Sequence, residues 1–238
     1  MNATVARLTM STLFGHRRGL LLFILPGVLL ALCVLLALTL DDTAGFSAAL
    51  LQMFGLAVIV PLISLLAATG ALASEIDDGS IVYLLSKPIK RSTIVLTKAL
   101  VAIGVILVLG AVPMTLAGLI LDHSEPRTAI AFGLGSLVAG IAYTGIFTAL
   151  SVMSGNAVTI GLIYALLWEG VMGQYVDGAK ALSVQQWSLA VIRKLSAATE
   201  VESAVRLPIA TILLIAVTAI GLTLAIARLR SLILSTAE

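Results

Sequence analysis

Residues 19–40 read GLLLFILPGVLLALCVLLALTL, 22 positions without a charged side chain. A helix of about 20 apolar residues crosses the hydrocarbon core of a bilayer, so this stretch alone predicts a membrane span. Arg17 and Arg18 precede it, as basic residues precede a signal peptide. The run is longer than the roughly 7–15 residues of a signal core, however, and no small-residue cleavage site follows. The expectation is a retained first span. Cys33 lies inside it as the chain's single cysteine, which allows neither an internal disulfide nor a Cys-based metal site. It reads as a small apolar packing residue.

The remainder of the 238 residues has the same character. Hydrophobic residues make up 60% and charged residues 11%, and the mean hydropathy is +1.16. A soluble domain of this size needs a polar skin, which 14 Lys plus Arg and 12 Asp plus Glu do not supply. A net charge of +2 points to no nucleic-acid partner. Six segments are long and apolar enough to span, near 19–40, 47–73, 99–121, 128–153, 157–176 and 207–227. A transmembrane barrel needs alternating segments of about ten residues, and these runs do not alternate. There is no internal repeat. The expected fold is all-α, one membrane domain over 1–238 with six transmembrane helices.

Orientation follows from where Lys and Arg fall. With a cytoplasmic amino terminus, the inside carries Arg7, Arg17, Arg18, Lys87, Lys90, Arg91, Lys98, Arg228 and Arg230. The outside carries Arg127, Lys180, Arg193, Lys194 and Arg206, four of them in one long connection. Both termini are therefore expected in the cytoplasm. Before the first span, Val5, Leu8, Thr12 and Leu13 fall at helical spacing beside Arg7, Arg17 and Arg18, which predicts an interfacial helix on the inner leaflet. Residues 177–206 are too polar to span, but Trp187, Leu189, Ala190, Val191, Ile192 and Leu195 predict a short helix resting at the outer interface, a depth that suits tryptophan.

The chain has no phosphate-loop, H-E-x-x-H or G-x-S-x-G motif, so no enzymatic activity, catalytic residue, metal or cofactor is assigned to it. His16 and His123 fall at span edges on opposite faces. Glu169 is the one ionisable residue read as lying well inside a span, where a charge costs about 3 kcal/mol on insertion scales. Gly161, Ala165, Glu169 and Gly173 follow at four-residue steps, which turns Glu169 toward protein or water. Two readings stay open: a pathway or gating carboxylate, for which Glu169→Gln impairs transport in a folded protein, and a hydrogen-bonded packing residue. Pro26, Pro61 and Pro113 fall within spans one to three and can bend them. Ala131, Gly135 and Ala139 form a small-residue packing stripe.

Between spans two and three the chain reads SEIDDGSIVYLLSKPIKRSTIVLTK, residues 74–98, with three acidic and then four basic side chains. Span two is expected to continue through Glu75, Asp77 and Asp78 and to stop at Gly79. Ile81, Val82, Tyr83, Leu84 and Leu85 then form a short apolar helix. Pro88 ends it, and Ser92 caps the helix leading into span three. So short an element cannot bury its own apolar residues, so lipid or another protein should cover it.

This segment resembles one found between the second and third spans of permease subunits of type 2 ABC (ATP-binding cassette) exporters, of the form E-x-x-x-G-[ST]-x-x-x-L-L-S-x-P-[IV]-x-[RK]. Glu75, Gly79, Ser80, Leu84, Leu85, Ser86, Pro88, Ile89 and Arg91 stand in those places. Size, six spans and the long connection before span six are also similar. The resemblance implies a cytoplasmic coupling helix that docks on a separate ATP-binding subunit, which would bind the ATP and Mg, with two permease copies, identical or related, in the transporter. It assigns Glu75 and Gly79 to the elbow, Ile81, Tyr83, Leu84 and Leu85 to docking, Pro88 to ending the helix, and Lys87, Lys90 and Arg91 to headgroup or partner contacts. The implied location is a bacterial or archaeal plasma membrane, and the implied activity is substrate export. Two other classes fit the residues: an ion-coupled secondary transporter or channel using Glu169, and a non-transporting membrane scaffold.

Overall fold

Inside a bilayer a helix closes its own backbone hydrogen bonds, and an open strand does not. The computed structural model describes residues 3–15, 17–40, 43–77, 91–196 and 201–231, and among them every regular element is helical. A leading helix α1 (Ala3–Gly15) is followed by six helices long and apolar enough to cross a membrane. These are α2 (Arg17–Thr39), α3 (44–77), α4 (Arg91–Leu121), α5 (Pro126–Met153), α6 (Ala157–Tyr175) and α8 (Leu207–Ser231), with α7 (Val184–Leu195) between the last two. The chain is a multi-pass, all-helical membrane protein. Because successive spans alternate in direction, the start of α2, the end of α3, the start of α4 and the 153–157 turn lie at one end of the bundle. The turns after α2 and α4 and the whole of 176–206 lie at the other.

Apolar burial gains little over lipid, so small residues that let backbones approach decide which helices touch. The helix α5 is the centre: it packs against α3, α4, α7 and α8. Its stripe Ala131, Gly135, Ala139 is buried, as the sequence implies. A Cβ on Gly135 would lie 2.2 Å from Ile192 of α7, so only glycine admits that side chain. Further along, a Cβ on Gly221 of α8 would lie 2.3 Å from the Gly145 carbonyl oxygen of α5. There the two backbones are in contact.

Three of the spans contain a π-helical stretch, at Leu51–Ile59, Leu107–Ala111 and Tyr164–Met172. The first two end just before Pro61 and Pro113. Proline has no N–H and its ring crowds the carbonyl four residues back, and a widened i→i+5 turn relieves both problems. Pro26 sits in α2 without such a turn. The third stretch has a different cause. Ala157, Gly161, Ala165, Glu169 and Gly173 are all buried, a strict period of four. On an α-helix each four-residue step drifts by about 40°, which would carry the stripe around the helix. The wider turns of Tyr164–Met172 rotate it back, so five small or polar positions hold one face.

The structure corrects several expectations. Span three begins at Arg91 rather than near 99, so Ser92 lies inside its first turn and does not cap it. Lys98, expected in the connection, is wholly buried within α4, and its Nζ donates to the Ala71 carbonyl of α3 at 2.5 Å. Glu169 is therefore not alone among ionisable residues inside the spans. In α1 the buried stripe is Val5, Thr9 and Leu13, packed on α3 and α4, whereas Leu8 is exposed. The predicted coupling helix falls at 78–90, outside the described residues.

The Gly145–Gly221 contact gives a first expected outcome. Gly221→Ala forces α8 off α5 and costs about 1–3 kcal/mol, more than alanine returns in helix propensity. Gly104→Ala, with open space at its Cβ, leaves stability unchanged or higher. Thermal unfolding of the purified protein in detergent checks both.

Candidate functional site

The first four N–H groups of a helix need acceptors from outside it, and α7 begins among the spans, where water is not the partner. Ser183 precedes it as N-cap: its own amide donates to the Lys180 carbonyl at 3.2 Å, and its Oγ accepts from the Gln186 amide at 3.4 Å. The other two amides go to Glu169. Oε1 accepts from Val184 N at 3.1 Å and Oε2 from Gln185 N at 3.2 Å. Ser183 Oγ donates to Oε2 at 2.6 Å, and Tyr164 Oη donates to Oε1 at 2.8 Å. A carboxyl group with no exposed surface thus takes four hydrogen bonds within the protein. Its place at a helix amino terminus also matches the sign of the helix dipole.

The π-helical turn of α6 makes part of this possible. Tyr164 and Glu169 are five residues apart, about 1.4 turns on an α-helix, which would point them in different directions. Widened turns bring them to one side. The Tyr164 ring stands edge-on to Phe147, which stacks on Tyr143, with centroids 6.0 and 5.9 Å apart. Tyr143 is wholly buried on α5, and its hydroxyl has no hydrogen-bond partner among the described residues. Gly173, one step along the stripe from Glu169, leaves room for Ser183: a Cβ there would lie 2.7 Å from the serine Oγ.

From this anchor α7 packs against the spans around it. Every residue from Val184 to Ala190 is buried, as is Ile192. The short helix expected from sequence is present, and its polar side chains Gln185, Gln186 and Ser188 are buried along with apolar ones. Its polar side chains tie it to neighbouring backbones: Gln185 Nε2 donates to the Gln52 carbonyl of α3 at 3.1 Å, and Gln186 Nε2 to the Gly173 carbonyl of α6 at 3.3 Å. Gln186 also accepts from Ala204 N at its Oε1 (3.3 Å) and from Ser203 Oγ at its carbonyl (3.0 Å). Trp187 is only 5% exposed and donates from Nε1 to the Ala181 carbonyl at 2.8 Å. Outside the spans, a hydrogen bond from Lys180 to Asp177 holds that carboxyl below its usual range.

Glu75 is in the last turns of α3 and Arg91 is the first residue of α4. Gly79, Ile81, Tyr83, Leu84, Leu85 and Pro88, with Lys87 and Lys90, lie outside the described residues. The ligands of Glu169 were not singled out from sequence. A signal for one of them existed, because Ser183 with Gln186 three residues on has the form of a capping box. Among the described residues no cluster of His, Cys, Asp and Glu has the makings of a metal site. No family model matches the chain, and no curated protein matches it.

Glu169→Gln places an N–H₂ group against one of the backbone N–H donors that Glu169 now accepts from. The expected result is a loss of about 1–3 kcal/mol, read as a lower thermal midpoint and faster alkylation of a cysteine introduced at Ser188 on α7. Unchanged values for both would separate Glu169 from the anchoring of α7.

Proposed function

We propose that the chain is the membrane permease subunit of an ATP-driven exporter of the type 2 ABC class, working as a pair of permeases with a separate ATP-binding subunit. The observation that supports this reading is the patterned segment from Glu75 to Arg91, which in the sequence joins the second and third of six spans. In this reading the termini and the segment face the cytoplasm, as the bias of Lys and Arg indicates. Ile81, Tyr83, Leu84 and Leu85 meet the ATPase, and Glu75, Gly79 and Pro88 shape the bend around them.

The surrounding geometry supports the reading by supplying a transmission. The buried Lys98–Ala71 hydrogen bond ties α4 to α3 beside the segment, and α1 packs Val5, Thr9 and Leu13 on the same two helices. A push at residues 78–90 would therefore act on both spans and on α1 as one body, a rigid-body route to opening a pathway. Glu169 is a positioning residue here: it holds α7 and is not required to carry an ion.

The test is co-expression with the ATP-binding protein encoded nearest to the chain. Wild type should co-purify with it and change its rate of ATP hydrolysis. Tyr83→Asp and Leu84→Asp should each abolish co-purification or that change in rate, while membrane insertion and the elution profile of the free chain stay normal. A fully coupled complex with both variants would refute the docking assignment.

A further inference from the structure

At the end of the bundle opposite the termini, beyond the Glu169 anchor, a cavity of about 300 Å³ is lined by Ala190, Arg193, Lys194, Val205, Arg206 and Leu207. Two of its cations come from the last turn of α7 and the third from the residue before α8. All three are exposed, and among the described residues none of their side chains makes a hydrogen bond or ion pair. Arg127, at the start of α5, lies close by and donates from Nε to the Leu195 carbonyl at 2.8 Å. Arg193 and Lys194 suit a helix carboxyl terminus, and that alone would explain them on a solvated helix. Arg206 is not part of that helix, yet it lines the same cavity.

Position and lining narrow the ligand. The apolar window of span six begins at Leu207, so the cavity lies where hydrocarbon gives way to headgroups. Ala190, Val205 and Leu207 supply an apolar side next to the cations. Ile209 and Ile212, one to two turns further into α8, are 52% and 66% exposed and face outward. An anionic group at this level, joined to an apolar body, fits both halves of the lining. Unpaired Lys and Arg at a membrane surface attract anionic lipid by about 1 kcal/mol per charge.

We propose that Arg193, Lys194 and Arg206 form a binding site for the phosphate-bearing headgroup of an anionic lipid, seated between the carboxyl end of α7 and the entry to α8. The site is independent of the export reading: it requires the described fold and no ATPase. A lipid there would close the gap between α7 and α8 and would brace α7 at the end opposite its Glu169 anchor.

The experiment uses the full chain in detergent and native mass spectrometry, with phosphatidylglycerol and phosphatidylcholine of identical acyl chains and with inorganic phosphate as competitor. Phosphatidylglycerol should be retained in preference to phosphatidylcholine, and each Arg or Lys→Gln change at the three positions should weaken that preference about fivefold. The charge-conserving set Arg193→Lys, Lys194→Arg and Arg206→Lys should keep it, and Lys180→Gln, a cation of the same connection outside the cavity, should leave it unchanged. Equal retention of the two lipids, or a preference that survives the triple glutamine variant, overturns the proposal. Displacement of phosphatidylglycerol by equimolar inorganic phosphate also overturns it, in favour of a free-anion site.

Discussion

The hydrogen bonds from the amino end of α7 to the Glu169 carboxylate are the constraint on which one end of this molecule depends. A helix amino terminus lodged among apolar spans leaves its first amides without water. Two of the four are met locally, the Ser183 amide by the Lys180 carbonyl and the Gln186 amide by Ser183 Oγ. The remaining pair needs an acceptor with two well-placed oxygens, and the carboxylate of α6 provides both. Without it, α7 would be better solvated at the membrane surface, and the space that Gly135 leaves for Ile192 would go unfilled. The carboxylate, the helix amino terminus and the glycine stripe therefore form one device.

That device explains why α6 departs from α-helical geometry. A buried face with a period of four cannot stay straight over five members on a 3.6-residue helix. The π-helical stretch Tyr164–Met172 corrects the drift and also lets Tyr164 reach Glu169 across five residues. Near Pro61 and Pro113 the same distortion answers a missing amide instead. Similar backbone shapes thus arise from different causes, one a side-chain register and the other a proline.

The six spans were legible because 20-residue apolar runs have few other uses, and their limits agree with the helices except at α4. That exception is instructive. Lys98 reads as a charge that must stay outside, but its long side chain is satisfied by a carbonyl of a neighbouring helix, a non-local partner that no local pattern displays. The burial of α7 was hidden for the same reason. Gln185, Gln186 and Ser188 look like solvent-facing residues, and their acceptors include Gln52, 133 positions away in the chain. Glu169 itself was legible as a buried, inward-facing residue from the four-residue spacing of its small neighbours. What it bonds to was not.

The two ends of the bundle are consequently built in different ways. At one, α3 and α4 pack directly on each other, joined by the Lys98-to-Ala71 hydrogen bond and covered by α1. At the other, α7 is bound to α3, α6 and the 203–204 turn by a network in which Glu169, Ser183, Gln185 and Gln186 each make more than one hydrogen bond or bridge separate elements. A network of that kind, buried at low dielectric, resists stepwise loosening because breaking one bond strands its partners. Movement of α3 would therefore carry Gln52, and with it α7, as a body. The length of α3 is thus a mechanical route from one end of the bundle to the other. The Glu169 network fixes where that route ends: at α7, against α5 and the entry to α8.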